Sequence, residues 1–369
     1  MIKKIQKLIL TFSYFFSKKT DNQLHKSLLI IEGPSAIGLV ELLKGRGDLP
    51  LTFYVPLQPF SIFNKVRDKD QLYYYPGLIE VLKCIISGCI KYFKTNSKIG
   101  LILNIEFELI SSCFKNSENV YNSVVIFNER MPLSAFASDW ARFNDILSCC
   151  VQHGAVVENY FPVKVERYFV WDDKFGEIIK SSDAEVETIV TGRLSNKPII
   201  KNIARSNIPL VILQPSDVSI PKKIIIASFV EIIEECLCIF GAVTLRPHPN
   251  DNNLKQILSH FPDKKNIKID SDDLINSLCS RNMVISLYST VLLEAMDCGC
   301  FAIQYINKNW YKDIFYRSQH QAEGRKALKI LIDTFKNRKK IDNIDSSKVQ
   351  SIFKPNVDHF LDNIILLNE

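Results

Sequence analysis

What this chain lacks narrows it first. Its ten cysteines include no C-x-x-C pair. Cys84 and Cys89, Cys149 and Cys150, Cys236 and Cys238, and Cys298 and Cys300 sit mostly in apolar runs. That spacing excludes a zinc ribbon or a disulfide framework and leaves small buried thiols, as a reducing compartment keeps them. No low-complexity tract or internal repeat is present, which excludes solenoids and disordered chains. Glycine is scarce, 13 residues against 23 phenylalanines and 13 tyrosines, so the interior is packed rather than flexible. The turn EGPSAIG at residues 32–38 lacks the G-K-[S/T] ending of a P-loop and does not fit G-x-G-x-x-G. In WDD, Asp172 and Asp173 form no D-x-D and their side chains diverge, so no metal site is expected. Excess charge is also thin. A net +6 suits an anionic ligand or a lipid surface and argues against a nucleic-acid partner.

What is present fits two domains. A chain of 369 residues with 47% hydrophobic and 23% charged residues is globular and too long for one ordinary core. From residue 26 onward short apolar runs alternate with helical patterns, first SLLII, LTFY, SVVIF, SCCV, RYFV and ETIV. A polar stretch over residues 192–209 reads as a linker, and LVIL, AVTLR, IKI, NMVIS and FAIQYI then repeat the alternation. The KIGLILNIEFELI stretch mixes strand and helix signals. This pattern predicts an α/β protein of two Rossmann-like doubly wound domains facing a cleft, over residues 25–195 and 205–330. Residues 331–369 read as a helical segment that crosses back.

The amino terminus stands apart. Its apolar run is interrupted by Lys7 and is too short to span a bilayer, and no small-residue cleavage site follows. As a helix, residues 1–24 gather Ile5, Leu8, Ile9, Phe12, Phe15 and Phe16 on one side. Lys3, Lys4, Lys7, Lys18 and Lys19 flank them, with no acid before Asp21. That pattern suits a helix in the membrane interface, and equally an amphipathic helix docked on its own protein.

Polar clusters fall where predicted strands end, the position at which open parallel sheets bind ligands. The first is Arg246-Pro247-His248-Pro249. Two prolines stiffen the peptide, so the imidazole of His248 projects from a nearly fixed backbone. The alternative is a plain exit loop with a solvated histidine. The second is SLYSTVLLE: Ser286, Ser289 and Thr290 occupy a strand-to-helix turn whose free N–H groups and positive dipole suit a phosphate. Glu294, a turn further on, is placed to hold ribose hydroxyls; the alternative is an N-cap with a solvated acid. In the first domain Gln152, His153 and Gly154 end a strand, with Glu158 following. An imidazole of ordinary pKa near 6.5 there would take a proton from an attacking hydroxyl. Glu32, Ser35, Glu129 and Arg130 also fall at strand ends and are candidates for holding an acceptor.

The R-P-H-P segment, followed by S-x-x-S-T-x-x-x-E at the next strand-to-helix turn, resembles the carboxyl-terminal half of GT-B glycosyltransferases. QHG followed by RYFVW and VTGR is similar to the middle of the same group, and the resemblance spans roughly residues 123–304. The nearest members in pattern are bacterial surface-polysaccharide enzymes: HP-motif sialyltransferases, capsule Kdo transferases and CDP-glycerol glycerophosphotransferases. The resemblance implies a metal-independent transferase that needs no cofactor beyond a nucleotide-sugar donor. That donor would be CMP-linked and carry an acidic sugar such as Kdo or a sialic acid. The acceptor would be a lipid-linked oligosaccharide at the inner face of the cytoplasmic membrane, with the enzyme cytoplasmic and peripheral. Arg246, His248 and Pro249 with Ser286, Ser289 and Thr290 would hold the donor phosphate, Glu294 the ribose, and His153 or Glu158 would be the base. The acidic D/E-D/E-G triplet usual in the sialyltransferases is missing, which shifts weight from sialic acid. A CDP-polyol phosphotransferase, a UDP-hexose transferase and a non-catalytic membrane-associated subunit stay open as alternatives.

Overall fold

A computed structural model describes residues 27–32, 34–43, 46, 51–54, 78–95, 101–116, 121–154, 156, 161–194, 204–215, 221–249, 251–307, 320–337 and 355–365. The amino-terminal segment 1–24 and Glu158 lie outside them. The chain divides into two compact units. One takes Met1–His153, Pro162–Asn196 and Pro355–Glu369; the other takes Gly154–Phe161 and Lys197–Lys354.

In the first unit the described strands are β1 (Ser27–Ile30), β2 (Leu51–Tyr54), β3 (Ser123–Ile126), β4 (Leu147–Val151), β5 (Arg167–Val170) and β6 (Glu187–Val190). They form one parallel sheet in the order β2-β1-β3-β4-β5-β6. The helices are α1 (Pro34–Leu43), α2 (Leu78–Thr95), α3 (Leu101–Asn116), α4 (Pro132–Phe143) and α5 (Asp173–Ser182). A parallel sheet covered on both faces needs continuous apolar strands. Leu28, Leu29 and Ile30 of β1 and Val124 and Val125 of β3 are accordingly all fully buried.

The LILNIEFELI stretch is helical throughout, as α3. Its local alternation is compatible with a strand, and tertiary packing decides the matter. Ile105 and Leu109 form a small core with Cys84 of α2. The two helices approach so closely that a Cβ on Gly88 would lie 2.9 Å from the Ile105 backbone.

The second unit has β7 (Leu210–Ile212), α6 (Lys222–Phe240), β8 (Val243–Arg246), α7 (Leu254–Leu258), β9 (Ile267–Ile269), α8 (Leu274–Cys279), β10 (Met283–Ser286), α9 (Val291–Asp297), β11 (Phe301–Ile306), β12 (His320–Glu323) and α10 (Gly324–Asn337). The sheet is again parallel, ordered β12-β11-β10-β7-β8-β9. Counted from β7, this is the 3-2-1-4-5-6 order of a dinucleotide-binding sheet, with its switch point between β7 and β10. Ile225, Phe229, Ile232 and Ile233 of α6 are buried against the sheet. Gly241, at φ 73°, ends α6 in the left-handed conformation that glycine adopts without strain.

The carboxyl-terminal stretch divides between the two units. α10 packs in the second unit through Leu328, Ile332 and Phe335. A last helix, α11 (Val357–Ile365), returns to the first. Its Val357, Phe360, Leu361 and Ile364 join the core built on Leu29, Val125 and Phe169. The Phe360 ring meets Phe169 edge-on at 4.9 Å, and the Asn356 N–H donates to the Thr191 carbonyl at 2.7 Å. Nine of the ten cysteines have described side chains and these are free thiols, and burial pushes Cys149 and Cys300 up to about 12. No described helix is long and apolar enough to cross a membrane.

Candidate functional site

The carboxyl end of the first sheet is closed by buried polar groups. Glu32 follows β1 and is 8% exposed. Its carboxylate accepts from the Ser134 N–H at 2.7 Å, the Ser134 hydroxyl at 2.8 Å and the Leu133 N–H at 3.4 Å. These are first-turn donors of α4, whose own N-cap, Met131, supplies no side-chain bond. Glu32 is therefore the anion at that helix's positive end. Burial raises its pKa against the lowering effect of the Ser134 bonds. The sequence offered Glu32 to an acceptor; its carboxylate is instead occupied by α4. Ser35 falls in the first turn of α1, and its side chain is outside the description.

Glu129 follows β3 and is 2% exposed. Its Oε2 accepts from the Lys164 N–H at 2.7 Å, while Oε1 is buried without a hydrogen-bond partner. Desolvation raises its pKa. Arg130 next to it is exposed, its N–H bonded to Asn128 Oδ1 at 2.9 Å. Gln152 after β4 braces β5: its side chain accepts from the Trp171 N–H at 2.9 Å, and its carbonyl accepts from the indole N–H at 3.0 Å. His153 comes next, then Gly154, both half-buried. Burial lowers the His153 pKa to about 4, opposed by a hydrogen bond with the Phe127 backbone. This corrects the expected ordinary value near 6.5: the ring is neutral at physiological pH and a weaker base than supposed. Asp172, half of the adjacent acid pair, caps α5 by accepting from the Phe175 N–H at 3.0 Å.

The carboxyl end of the second sheet is more open. Its centre is a residue to which the sequence reading gave no role. Gln214, 7% exposed, follows β7 at the switch point. Its Oε1 accepts from the Tyr288 N–H at 3.0 Å, and its carbonyl accepts from Asn253 Nδ2 at 3.0 Å. One glutamine thus ties together the loops that follow β7, β8 and β10. The QPS after LVIL is a further polar residue and proline at a strand end, the pattern that drew attention to RPHP, and was the available signal.

Four of the phosphate candidates sit on those tied loops. His248 and Pro249 are exposed. The His248 carbonyl accepts from the Asp251 N–H at 2.8 Å. Its imidazole pKa is lowered by partial burial, with Asp251 pulling it back up. Ser289 and Thr290 are half-buried at the start of α9. Ser289 Oγ accepts from the Val291 N–H at 3.2 Å, and Thr290 caps α9 without using its hydroxyl. Glu294 is half-buried in the first turn.

Two candidates have structural commitments. Ser286 is fully buried and donates to the Ile212 carbonyl at 2.8 Å, bridging β10 to β7. Arg246 is held by Asp270, the Asp272 carbonyl at 2.8 Å and Ser277 Oγ at 2.9 Å, and Ser277 also donates to Asp270 at 2.7 Å. Its charge is matched within the β8–β9 end by a carboxylate only 5% exposed. Pro247, half-buried, separates that ion pair from His248. Among the described residues, no group of three or more His, Cys, Asp or Glu side chains is placed to hold a metal.

No family model matches the chain, and no characterised sequence matches it closely enough to count as a relative. Solved structures do match. S. aureus MnaA, solved with UDP, superposes with a TM-score of 0.56 at 13% identity, over 94% of this chain and 98% of that one. The UDP-GlcNAc 2-epimerase of Methanocaldococcus jannaschii, with UDP-GlcNAc and UDP, gives 0.56 at 13%, over 93% and 99%. Anabaena HepE, with UDP-glucose, gives 0.53 at 10%, over 93% and 97%. Together with the two parallel sheets, these likenesses define the fold as GT-B.

Proposed function

We propose that the chain is a nucleotide-sugar-dependent glycosyltransferase, with the donor's nucleotide held at the β7/β10 switch point of the second unit. The carrying observation is the 3-2-1-4-5-6 strand order with Gln214 joining the three strand-end loops there. Ser289, Thr290 and the amino end of α9 are the donors offered to phosphate, with His248 beside them and Glu294 for the ribose. The donor we favour is a CMP-linked acidic sugar, Kdo or sialic acid-like, as the RPHP and SLYSTVLLE pattern implies. The acceptor is then a lipid-linked surface glycan, and the enzyme works at the inner membrane face.

In an inverting transfer the acceptor oxygen bonds to the anomeric carbon as the carbon–phosphate oxygen bond breaks. The nucleotide keeps the bonding electrons and the acceptor's proton passes to a base. His153, neutral at pH 7, can receive that proton; Glu158 is the other candidate. Preorganised donors at the developing phosphate charge supply most of the stabilisation.

A UDP-hexose transferase is the second reading. It is supported by the ligands of the similar structures, which are UDP, UDP-GlcNAc and UDP-glucose. Calorimetric titration of CMP, CDP and UDP, with His248→Ala run beside each, separates the readings. Tight CMP binding that weakens in the variant supports the acidic-sugar donor. A preference for UDP moves the proposal to a hexose, and for CDP to a polyol phosphotransferase. Failure of all three to bind overturns the nucleotide site, and the subunit reading then predicts normal glycan synthesis with alanine at His153 and His248.

A further inference from the structure

Buried polar atoms are nearly always hydrogen-bonded, so one that is not needs a reason. At the carboxyl end of the second sheet Asp251 Oδ1 is such an atom: it is enclosed and has no hydrogen-bond partner among the described residues. Its other oxygen, Oδ2, accepts from the Leu254 N–H at 2.8 Å, the first donor of α7. Asn253 stands at the N-cap of that helix but gives its amide to the Gln214 carbonyl, so Asp251 does the capping. The carboxylate is thereby fixed in direction, with one oxygen used and one left over.

His248 begins the same loop. The Asp251 N–H donates to its carbonyl at 2.8 Å, which holds the two Cα atoms within about 7 Å of each other, and Pro249 between them fixes one φ. His248 is exposed, and once protonated its ring carries two N–H donors. Among the described groups, Asp251 is the charge that acts on that ring: it favours the protonated form, against partial burial. Lys222, at the start of α6, brings a cation to the same loop, 3.5 Å from the Asn252 carbonyl. We infer that Asp251 is a positioning residue for His248: Oδ1 accepts one ring N–H of the imidazolium, which turns the other toward the donor's phosphate. A histidine with one nitrogen held by a carboxylate presents the other in a fixed tautomer and direction. The inference rests on the phosphate role proposed above for His248 and adds the group that orients it.

The test is Asp251→Asn in the full chain, which keeps an oxygen for the Leu254 N–H and removes the charge. Asp251→Ser does the same should the amide variant melt early. Histidine ring signals are followed by NMR from pH 5 to pH 8, with His248→Ala identifying the signal that belongs to His248 among the six histidines. The His248 midpoint should move to lower pH in the Asn variant, because the charge that favours protonation is gone. Affinities for CMP and UDP, measured by calorimetry, should fall about tenfold at pH 6 and by less at pH 8, where the ring is neutral in both proteins. Titration of the phosphate itself is common to parent and variant and cancels in that ratio. A His248 midpoint that stays or rises overturns the inference whatever the nucleotides do. So does an affinity loss of equal size at both pH values, the mark of a merely structural cap. A lowered midpoint in a protein that binds neither nucleotide overturns the switch-point site, and with it the task of the pair there, so the two failures give different results.

Discussion

The two sheets end in different ways. At the carboxyl end of the first, Glu32, Glu129 and Gln152 are 8%, 2% and 4% exposed, and each is bonded to the backbone of a neighbouring helix start, loop or strand end. At the carboxyl end of the second, His248 and Pro249 are exposed and Ser289, Thr290 and Glu294 half-buried. Beneath them the brace, Gln214 and Asn253, is buried, as are Ser286 and Asp270. Position at a strand end is thus not enough to make a residue available. One sheet spends its polar groups on capping and bracing; the other braces with neutral amides and leaves hydroxyls and an imidazole accessible. A ligand anion has a better welcome at the second, where hydroxyl donors and an imidazole are accessible beside the Glu294 carboxylate.

The largest expected effect breaks that contrast inside the second unit. Arg246, like Ser286, is a strand-end residue there that is structurally committed. Arg246→Ala leaves the Asp270 carboxylate, 5% exposed, without its cation. Removing one partner of a buried ion pair costs about 3–5 kcal/mol, so thermal melting should show a large loss of stability. Nucleotide affinity of the fraction still folded at low temperature should stay within about threefold of the parent if this loss is structural. A loss of affinity comparable to the loss of stability would return the guanidinium to the ligand.

Thr290→Val is the converse. Its hydroxyl makes no cap bond, so the melting temperature should move little. Nucleotide binding should weaken about tenfold, the value of one charge-assisted hydrogen bond near 1.5 kcal/mol. An unchanged affinity would remove Thr290 from the proposed site.

The fold was legible because parallel sheets write themselves as short apolar runs between helical patterns, and the two doubly wound units follow from that alternation. The order of the strands was not, since pairing partners are set by packing far along the chain. α3 shows the same limit on a smaller scale. Leu103, Asn104, Ile105, Glu106 and Phe107 alternate as a strand would, and only contact with α2 selects helix. At the candidate sites the sequence gave residue types and their places at strand ends, but not their partners. Glu32 and Glu129 both look like acids awaiting a ligand. Their occupants, first-turn N–H groups of α4 about a hundred residues away from Glu32 and the Lys164 N–H for Glu129, emerge only from tertiary structure. Gln214 was passed over for the reverse reason: an amide after a strand has no charge to attract notice.

The smallest effect is one of pH, and it separates His153 from the open residues of the second unit. Burial holds the folded pKa of His153 near 4, against 6.5 for the free side chain. Below pH 6.5 the unfolded chain takes up a proton that the folded chain refuses, so stability is lost as pH falls from 6.5 toward 4. The loss is below about 1 kcal/mol at pH 6 and grows toward about 3 kcal/mol near pH 4. Glu32 and Glu129, with raised pKa values, act in the opposite direction, since acid relieves the burial of their charges. The comparison must therefore be parent against His153→Gln, which keeps the carboxylates and removes only the imidazole. Unfolding by urea at pH 7 and at pH 6 should show a gap between the two proteins that narrows as pH falls. If His153 is also the base, the acid limb of the transfer rate belongs near pH 4, because protonation removes the acceptor lone pair. A limb near 6.5, with the stability gap unchanged between the two pH values, would mean the imidazole is solvated like a surface histidine and the buried reading of this strand end is wrong.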